Sequence, residues 1–563
     1  MMSRLPTQTD SRPARWVFEP EVAFLILFVA LAHFIRAGEL PLRGEESTRG
    51  QMAFEMVQRN DYLVPRAQGE PFWIRPPFQM WAIAASCLAL GDWSEWTIRL
   101  HSLLATLGTT LLVYGYARSF MGRVGALAAG LAFASSADWF QMGRQAETEA
   151  LFTLLLGGAL LLWHWGMERG WPGWACFSIG YSLMAMATLT KGLQAPVYFV
   201  GATWLHMIFN RDWKRLFSAG HLAGLLAGAI VLAAWVVPYA GAVGWGGVLQ
   251  VWTGDPAYHV NGRIANWKAA EVGRHLLTLP AEIIAGGLPW SPLLLTVVFR
   301  DFRSSWGPRL GRIGYLWTCI AVALPSIWIP PGGLPRYFAP LMPCVAVLAG
   351  AGVEWIAAES QAPGARRLQV VFALLIAGLG LLMGLSPWLG AFPRFEAFVE
   401  PVSVALPWAL VMISLAVATA ISSRQGGTRA MRVAVCAMAM AMAIHFSVFV
   451  MDFRVRRSEK PALAMQRIKE ALPQGQKLVS LGTYYLAPLF AYHYGLPITT
   501  RVPWPVKVGD LSPEVEYFCF EAHGPDIKPL PFAWKEIGSF PLERYKREVP
   551  YSRVIVGRRE KPG

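Results

Sequence analysis

Several short stretches of this chain carry acids and cations of the kinds that could activate an attacking hydroxyl and neutralise a leaving phosphate. The first is Leu42-Arg43-Gly44-Glu45-Glu46-Ser47, followed by Met52, Ala53, Met56 and Val57 on one helical face, which predicts a short helix lying on a membrane surface. Glu45 and Glu46 either complement the positive end of that helix, with Ser47 as its cap, or provide a carboxylate that accepts a proton from an attacking hydroxyl. In Phe72-Trp73-Ile74-Arg75-Pro76-Pro77 an arginine stands between aromatics and a rigid turn. It either snorkels to lipid phosphate or grips a leaving phosphate with its planar fork of donors. Arg144-Gln145-Ala146-Glu147-Thr148-Glu149 ends with Glu149 at the edge of an apolar run, where a carboxylate is costly without a partner; capping the next helix is the competing use. Thr188-Leu189-Thr190-Lys191-Gly192 and Pro335-Arg336-Tyr337 add cations at two more helix ends, and the stretch 241–276 adds His259, Asn261, Arg263 and Arg274.

These residues need a scaffold that brings separate connections together, and the composition says which kind. Hydrophobic residues make up 54% of the chain and charged ones 15%, more apolar than an ordinary water-soluble domain. Apolar runs recur from Glu21 to Met451, each long enough to cross a hydrocarbon core of about 30 Å as a helix. Spans are expected near 21–37, 98–118, 123–138, 148–166, 173–190, 193–209, 218–240, 277–299, 312–329, 338–356, 367–388, 404–422 and 428–451. The run 78–91 is shorter and bounded by Pro76-Pro77 and Gly91-Asp92, so it is expected to lie in the interface or dip in without crossing. That choice puts Arg118, Arg123, Arg211, Lys214, Arg215, Arg300, Arg303, Arg366, Arg367, Arg424 and Arg429 on the cytoplasmic side, as the positive-inside bias requires. The amino terminus then lies inside, and every candidate site residue falls on the outer face.

The net charge of +14 is spread over short loops, which argues against a nucleic-acid partner. The six cysteines have no metal-like spacing and read as inert thiols. The first apolar run follows Arg4, Arg12 and Arg15 without a small-residue cleavage site and reads as a retained span. After about residue 455 the pattern changes: a helical stretch at Pro461–Leu472, then β-like runs at Lys477–Leu481, Glu516–Glu521 and Ser552–Val556. The expected architecture is an all-α polytopic membrane protein of about thirteen transmembrane helices, residues 1–452 including an outer loop 38–97, with a small periplasmic α/β domain at 453–563.

Taken together, the acidic pair after the first span, Ala53-Phe54-Glu55-Met56, the aromatic–basic–Pro-Pro motif, the Arg-x-Ala-x-x-acid segment, Leu189-Thr190-Lys191-Gly192 and Leu334-Pro335-Arg336-Tyr337-Phe338-Ala339-Pro340 resemble the GT-C glycosyltransferases. The similarity is greatest to the lipid A aminoarabinose-transferase-like and protein O-mannosyltransferase-like branch. It is strongest over residues 40–200, Gly287–Pro292 and Leu334–Pro343. The resemblance implies an inverting transfer, on the periplasmic face of a bacterial inner membrane, from a polyprenyl-phosphate sugar donor to a lipid A, glycan or protein acceptor. It implies catalytic roles for Glu45, Glu46 and Glu149, and donor-phosphate binding by Arg75, Arg263 and Tyr337, helped by Lys191. Three departures stand out. Glu45 replaces the family's Asp, Gly333 replaces a common lysine, and Ile74 occupies a position where some members have a glutamate implicated in divalent-metal binding, so no metal is carried over. Rival readings are a transporter or flippase for a lipid-linked glycan, disfavoured by the absence of evident repeated halves, and a non-catalytic assembly subunit. No Gly-rich loop follows a strand, which disfavours a nucleotide-sugar donor.

Overall fold

The computed structural model describes residues 19–457 apart from 43–44, 68, 74, 263–267, 331–332, 359–362 and 392–397, and beyond them 470, 472–473, 476, 478–482, 501–502, 508–523, 529–541 and 552–560. The expected helix at Pro461–Leu472 lies almost entirely outside the described residues.

All thirteen expected spans fall on helices. Among the described residues, seven helices, the first Thr148–Glu168 and the last Gly427–Arg456, are long and apolar enough to cross a membrane. The number rises to eight when Ala269–Gly286 and Ser291–Val298, bent by 103°, count as one broken span. The chain is a multi-pass membrane protein; thirteen crossings exceed what length and apolarity alone support. The physical reason is visible in Glu95–Arg118, which is long enough but carries Thr97, Arg99, His101, Ser102, Thr106, Thr109 and Thr110, all buried against protein. Phe78–Leu90, at about 1.5 Å per residue, is roughly 20 Å long and falls short of the hydrocarbon thickness. Gly91 ends it in the left-handed conformation, φ +63°, that a C-cap requires. The expected outer loop 241–276 is largely helical, because Ala219–Gly262 continues past a kink at Gly244.

Close helix contacts come from small residues, as membrane bundles require in the absence of a hydrophobic driving force. Gly220, Gly224 and Gly228, one every four residues, lie against Gly173–Lys191: a Cβ on Gly224 would stand 2.5 Å from Phe177 Cβ, and one on Gly228 3.1 Å from Tyr181 Cβ. The helix Glu45–Arg59, expected on a membrane surface, is instead sunk in protein, with Glu46 to Met56 all buried. Its Met52, Ala53 and Met56 share a core with Met80, Ile83, Ala84 and Cys87 of the Phe78–Leu90 helix. Because it begins at Glu45, Ser47 lies inside its first turn and is not the cap.

Beyond the bundle, Met451–Arg457 carries the chain toward a five-stranded sheet. With β1 (Arg66–Ala67) and β2 (Glu70–Pro71) forming a small hairpin, the sheet comprises β3 (Leu478–Leu481), β4 (Arg501–Val502), β5 (Tyr517–His523), β6 (Trp534–Pro541) and β7 (Ser552–Arg559) in the order β4-β3-β5-β7-β6. β3 runs parallel to β4 and β5, while β7 is antiparallel to β5 and β6. Alternate residues Val479, Leu481, Phe518, Phe520 and Ile555 build one core face, as a period of two dictates. All six cysteines are free thiols and five are buried.

Candidate functional site

Three acids and four cations from five separate segments meet at one end of the bundle. Glu149, in the first turn of Thr148–Glu168, takes an ion pair from Lys191 at 2.9 Å, Lys191 being the last residue of Gly173–Lys191. Both side chains are about 5% exposed or less, so each cancels a charge the other buries. The Lys191 ammonium also lies 5.1 Å from the centre of the Tyr337 ring and 5.6 Å from that of Phe152. Arg336 donates to Glu147 Oε2 at 2.7 Å, while its Nε stands 3.9 Å from Glu149, beyond hydrogen-bond reach. Arg75 donates from Nη1 to the Lys191 carbonyl at 3.0 Å. Glu45, one third exposed, pairs with Arg49 one turn along its own helix.

The acids differ in proton affinity. Burial alone would raise the Glu45 carboxyl, but the charges of Arg49, Arg75 and Arg336 outweigh it and hold Glu45 at about 2. Burial and the carboxylate of Glu149 push Glu147 up to about 8, with Glu45 and Glu46 adding to the effect and Arg336 opposing it. Of the two, Glu45 is the carboxyl held in its ionised form and Glu147 the one with the higher affinity for a proton.

A buried lattice fixes this arrangement. Arg99 is 4% exposed and meets Glu46 through two 2.8 Å bonds, from Nε to Oε1 and from Nη2 to Oε2. Its remaining N–H groups donate to the carbonyls of Ala37, Leu40 and Pro41 at 2.7 to 3.0 Å. Glu46 Oε1 also accepts the Ala146 backbone N–H at 2.7 Å. The segment leading into Glu45 is thus tied to the segment that carries Glu147 and Glu149. Gln79 holds that second segment from the other side, donating to the carbonyls of Ala146 at 3.2 Å and Glu147 at 3.0 Å.

Of the residues singled out from sequence, Glu45, Arg75, Glu149, Lys191 and Tyr337 gather in this cluster. Glu46 lies beside it with its carboxylate fully engaged by Arg99 and Ala146, an arrangement that suits positioning. Arg263 and Ile74 lie outside the described residues. Among the described residues no three His, Cys, Asp or Glu side chains come together as a metal-binding set. Sequence reasoning passed over Arg99, a charge inside an expected span that called for a partner. It quoted Glu147 and Arg336 without giving them a role, because their meeting is a long-range contact.

The matches to other proteins point the same way. Residues 74–239 fit the family model described as dolichyl-phosphate-mannose-protein mannosyltransferase. The undecaprenyl phosphate-alpha-4-amino-4-deoxy-L-arabinose arabinosyl transferase of Edwardsiella ictaluri is 28% identical over 398 residues, 66% of each chain. The Erwinia tasmaniensis protein of the same name is 25% identical over 383 residues, 64% of this chain and 65% of the relative. These alignments span just under two thirds of each relative's length. ArnT from Cupriavidus metallidurans, in its apo crystal structure, superposes with a TM-score of 0.70 at 17% identity, covering 96% of this chain and 98% of that one. The chain is similar in sequence to these arabinosyl transferases and shares the fold of ArnT. The superposition over nearly the whole of ArnT takes in the C-terminal region as well as the bundle. A crystal structure of that ArnT bound to undecaprenyl phosphate superposes similarly, with a TM-score of 0.68.

Proposed function

We propose that this GT-C protein is an integral-membrane glycosyltransferase that moves a sugar, with inversion, from a polyprenyl-phosphate donor to a lipid, glycan or protein acceptor. The reaction takes place on the periplasmic face, with the amino terminus cytoplasmic, residues 1–452 forming the transferase domain and 453–563 a periplasmic domain. The observation that carries the reading is the coexistence, in one cluster, of an ionised and partly exposed carboxylate with several guanidinium groups.

The acceptor hydroxyl attacks the anomeric carbon from the face opposite the phosphate. The new glycosidic C–O bond forms as the bond to the phosphate oxygen breaks, the bonding pair leaves with the polyprenyl phosphate, and the hydroxyl proton passes to Glu45. Arg75, helped by Arg336 and by Arg263, stabilises the charge gathering on the departing phosphate. Lys191 holds Glu149 and lies over the Tyr337 ring.

A carboxylate at about 2 is a poor base in the empty site. A donor phosphate at Arg75 offsets one of the charges that depress Glu45, so donor binding raises its proton affinity when a base is needed. Undecaprenyl phosphate, the ligand of the ArnT crystal structure, has the chemistry this site suits. The test is reconstituted protein with a radiolabelled polyprenyl-phosphate sugar and envelope lipid extract. A labelled acceptor is the expected product, and no label transferred under any acceptor condition would overturn the reading.

A further inference from the structure

The helix Gly173–Lys191 links two places. Its last residue is in the acid–cation cluster, and its first lines a groove of about 470 Å³ between it and the start of Ala219–Gly262. At about 1.5 Å per residue the two lie roughly 27 Å apart along the helix, and the neighbouring Thr148–Glu168, long and apolar enough to cross a membrane, likewise runs from Glu149 in the cluster to Met167 at the groove, which puts the two places at opposite membrane surfaces. The groove floor is a tight crossing: a Cβ on Gly220 would stand 2.8 Å from the Trp174 backbone nitrogen. Its walls are Met167, Trp171, Trp174 and Phe177, and Arg215 stands at its edge.

We propose that this groove holds an anionic glycerophospholipid of the leaflet opposite the transfer site, one acyl chain between the apolar walls and the phosphate at Arg215 and Lys214. Charge selects that occupant. Arg211, Lys214 and Arg215 are exposed on the short connection beside the groove, against a single acid, Asp212, which pairs with Arg215 at 3.2 Å. Two exposed indoles, Trp174 at 62% and Trp213 at 49%, flank these cations, the pairing that membrane–water interfaces favour. The apolar walls require a chain and the basic rim requires an anion, and an anionic phospholipid supplies both. The polyprenyl donor of the proposed reaction presents its phosphate at the other surface, so this site is separate from the transfer site and does not depend on the transferase reading.

Native mass spectrometry of the purified full chain, titrated separately with phosphatidylglycerol and phosphatidylcholine of matched chains, tests it. The wild type is expected to bind phosphatidylglycerol roughly tenfold more tightly, since each nearby cation strengthens attraction to an anionic headgroup. The exposed pair Lys214→Ala/Arg215→Ala should erase that preference with the melting temperature kept, and Trp174→Ala should weaken binding of both lipids. Inorganic phosphate and chain-free glycerophosphoglycerol should not compete. Equal affinity of the wild type for both lipids, an intact preference in the double variant, or competition by either chain-free anion would each overturn the proposal.

Discussion

Lys191 and Glu149 meet at 2.9 Å, from two helix ends that are 42 residues apart in sequence, with both side chains almost completely buried. An ion pair placed so deep offsets two desolvation costs that neither residue could meet alone. Removing one partner is therefore much worse than removing both. Lys191→Met is expected to destabilise the protein by about 3 to 5 kcal/mol, with Lys191→Met/Glu149→Leu recovering most of that loss. Thermal melting of the detergent-purified variants reads both, and a double variant no more stable than the single one would refute the pairing argument.

Glu45→Gln keeps the size of the side chain and removes its capacity to take a proton. Transfer should fall by roughly a hundredfold to ten thousandfold, the usual worth of general-base help, with donor binding retained. Full activity in this variant removes Glu45 from the mechanism.

Glu147 gives the site a pH dependence whose sign follows from its raised proton affinity. The folded carboxyl titrates at about 8 against an ordinary value of 4.5. Its contribution to stability is full below about 4.5 and is lost as the pH rises through about 8. Above that, a further negative charge enters the cluster proposed to receive the donor phosphate, and the donor KM should climb. Glu147→Gln should flatten both trends; unchanged profiles would show that Glu147 does not titrate in this range.

Arg99 touches no substrate in the proposed reaction, yet it ties Glu46 to three backbone carbonyls upstream of Glu45. Arg99→Lys keeps the charge and loses the fork. Turnover is expected to drop by about a hundredfold, the cost of a displacement near 1 Å, with the donor KM little changed. A rise in KM with turnover intact would assign Arg99 to donor binding instead.

Gly224 tests the glycine seam. A Cβ there would lie 2.5 Å from that of Phe177 and 2.7 Å from its carbonyl carbon. Gly224→Val must push two helices apart and should cost about 1 to 3 kcal/mol of stability, read as a lower melting temperature. Gly241→Ala, with nothing within 4 Å of the added Cβ, is the matched control and should melt near the wild type.

Period and length in the sequence determined the helices, because an apolar run of membrane-spanning length has one favourable backbone solution in lipid. Alternating residues likewise marked β3, β5 and β7, whose side chains pack on a strand's period of two. Sequence also marked Glu149 and Lys191, since a charge at the edge of hydrocarbon calls for a partner. What it did not contain was who the partner is. The Arg336–Glu147 contact joins residues 189 positions apart, and Arg99 reaches Glu46 across 53. Only the packed bundle decides such meetings, because they depend on how helices cross and not on any local pattern. The same holds for Glu45–Arg59: its apolar face predicted a helix at a surface, but burial of its polar face too came from the neighbours that tertiary structure placed around it.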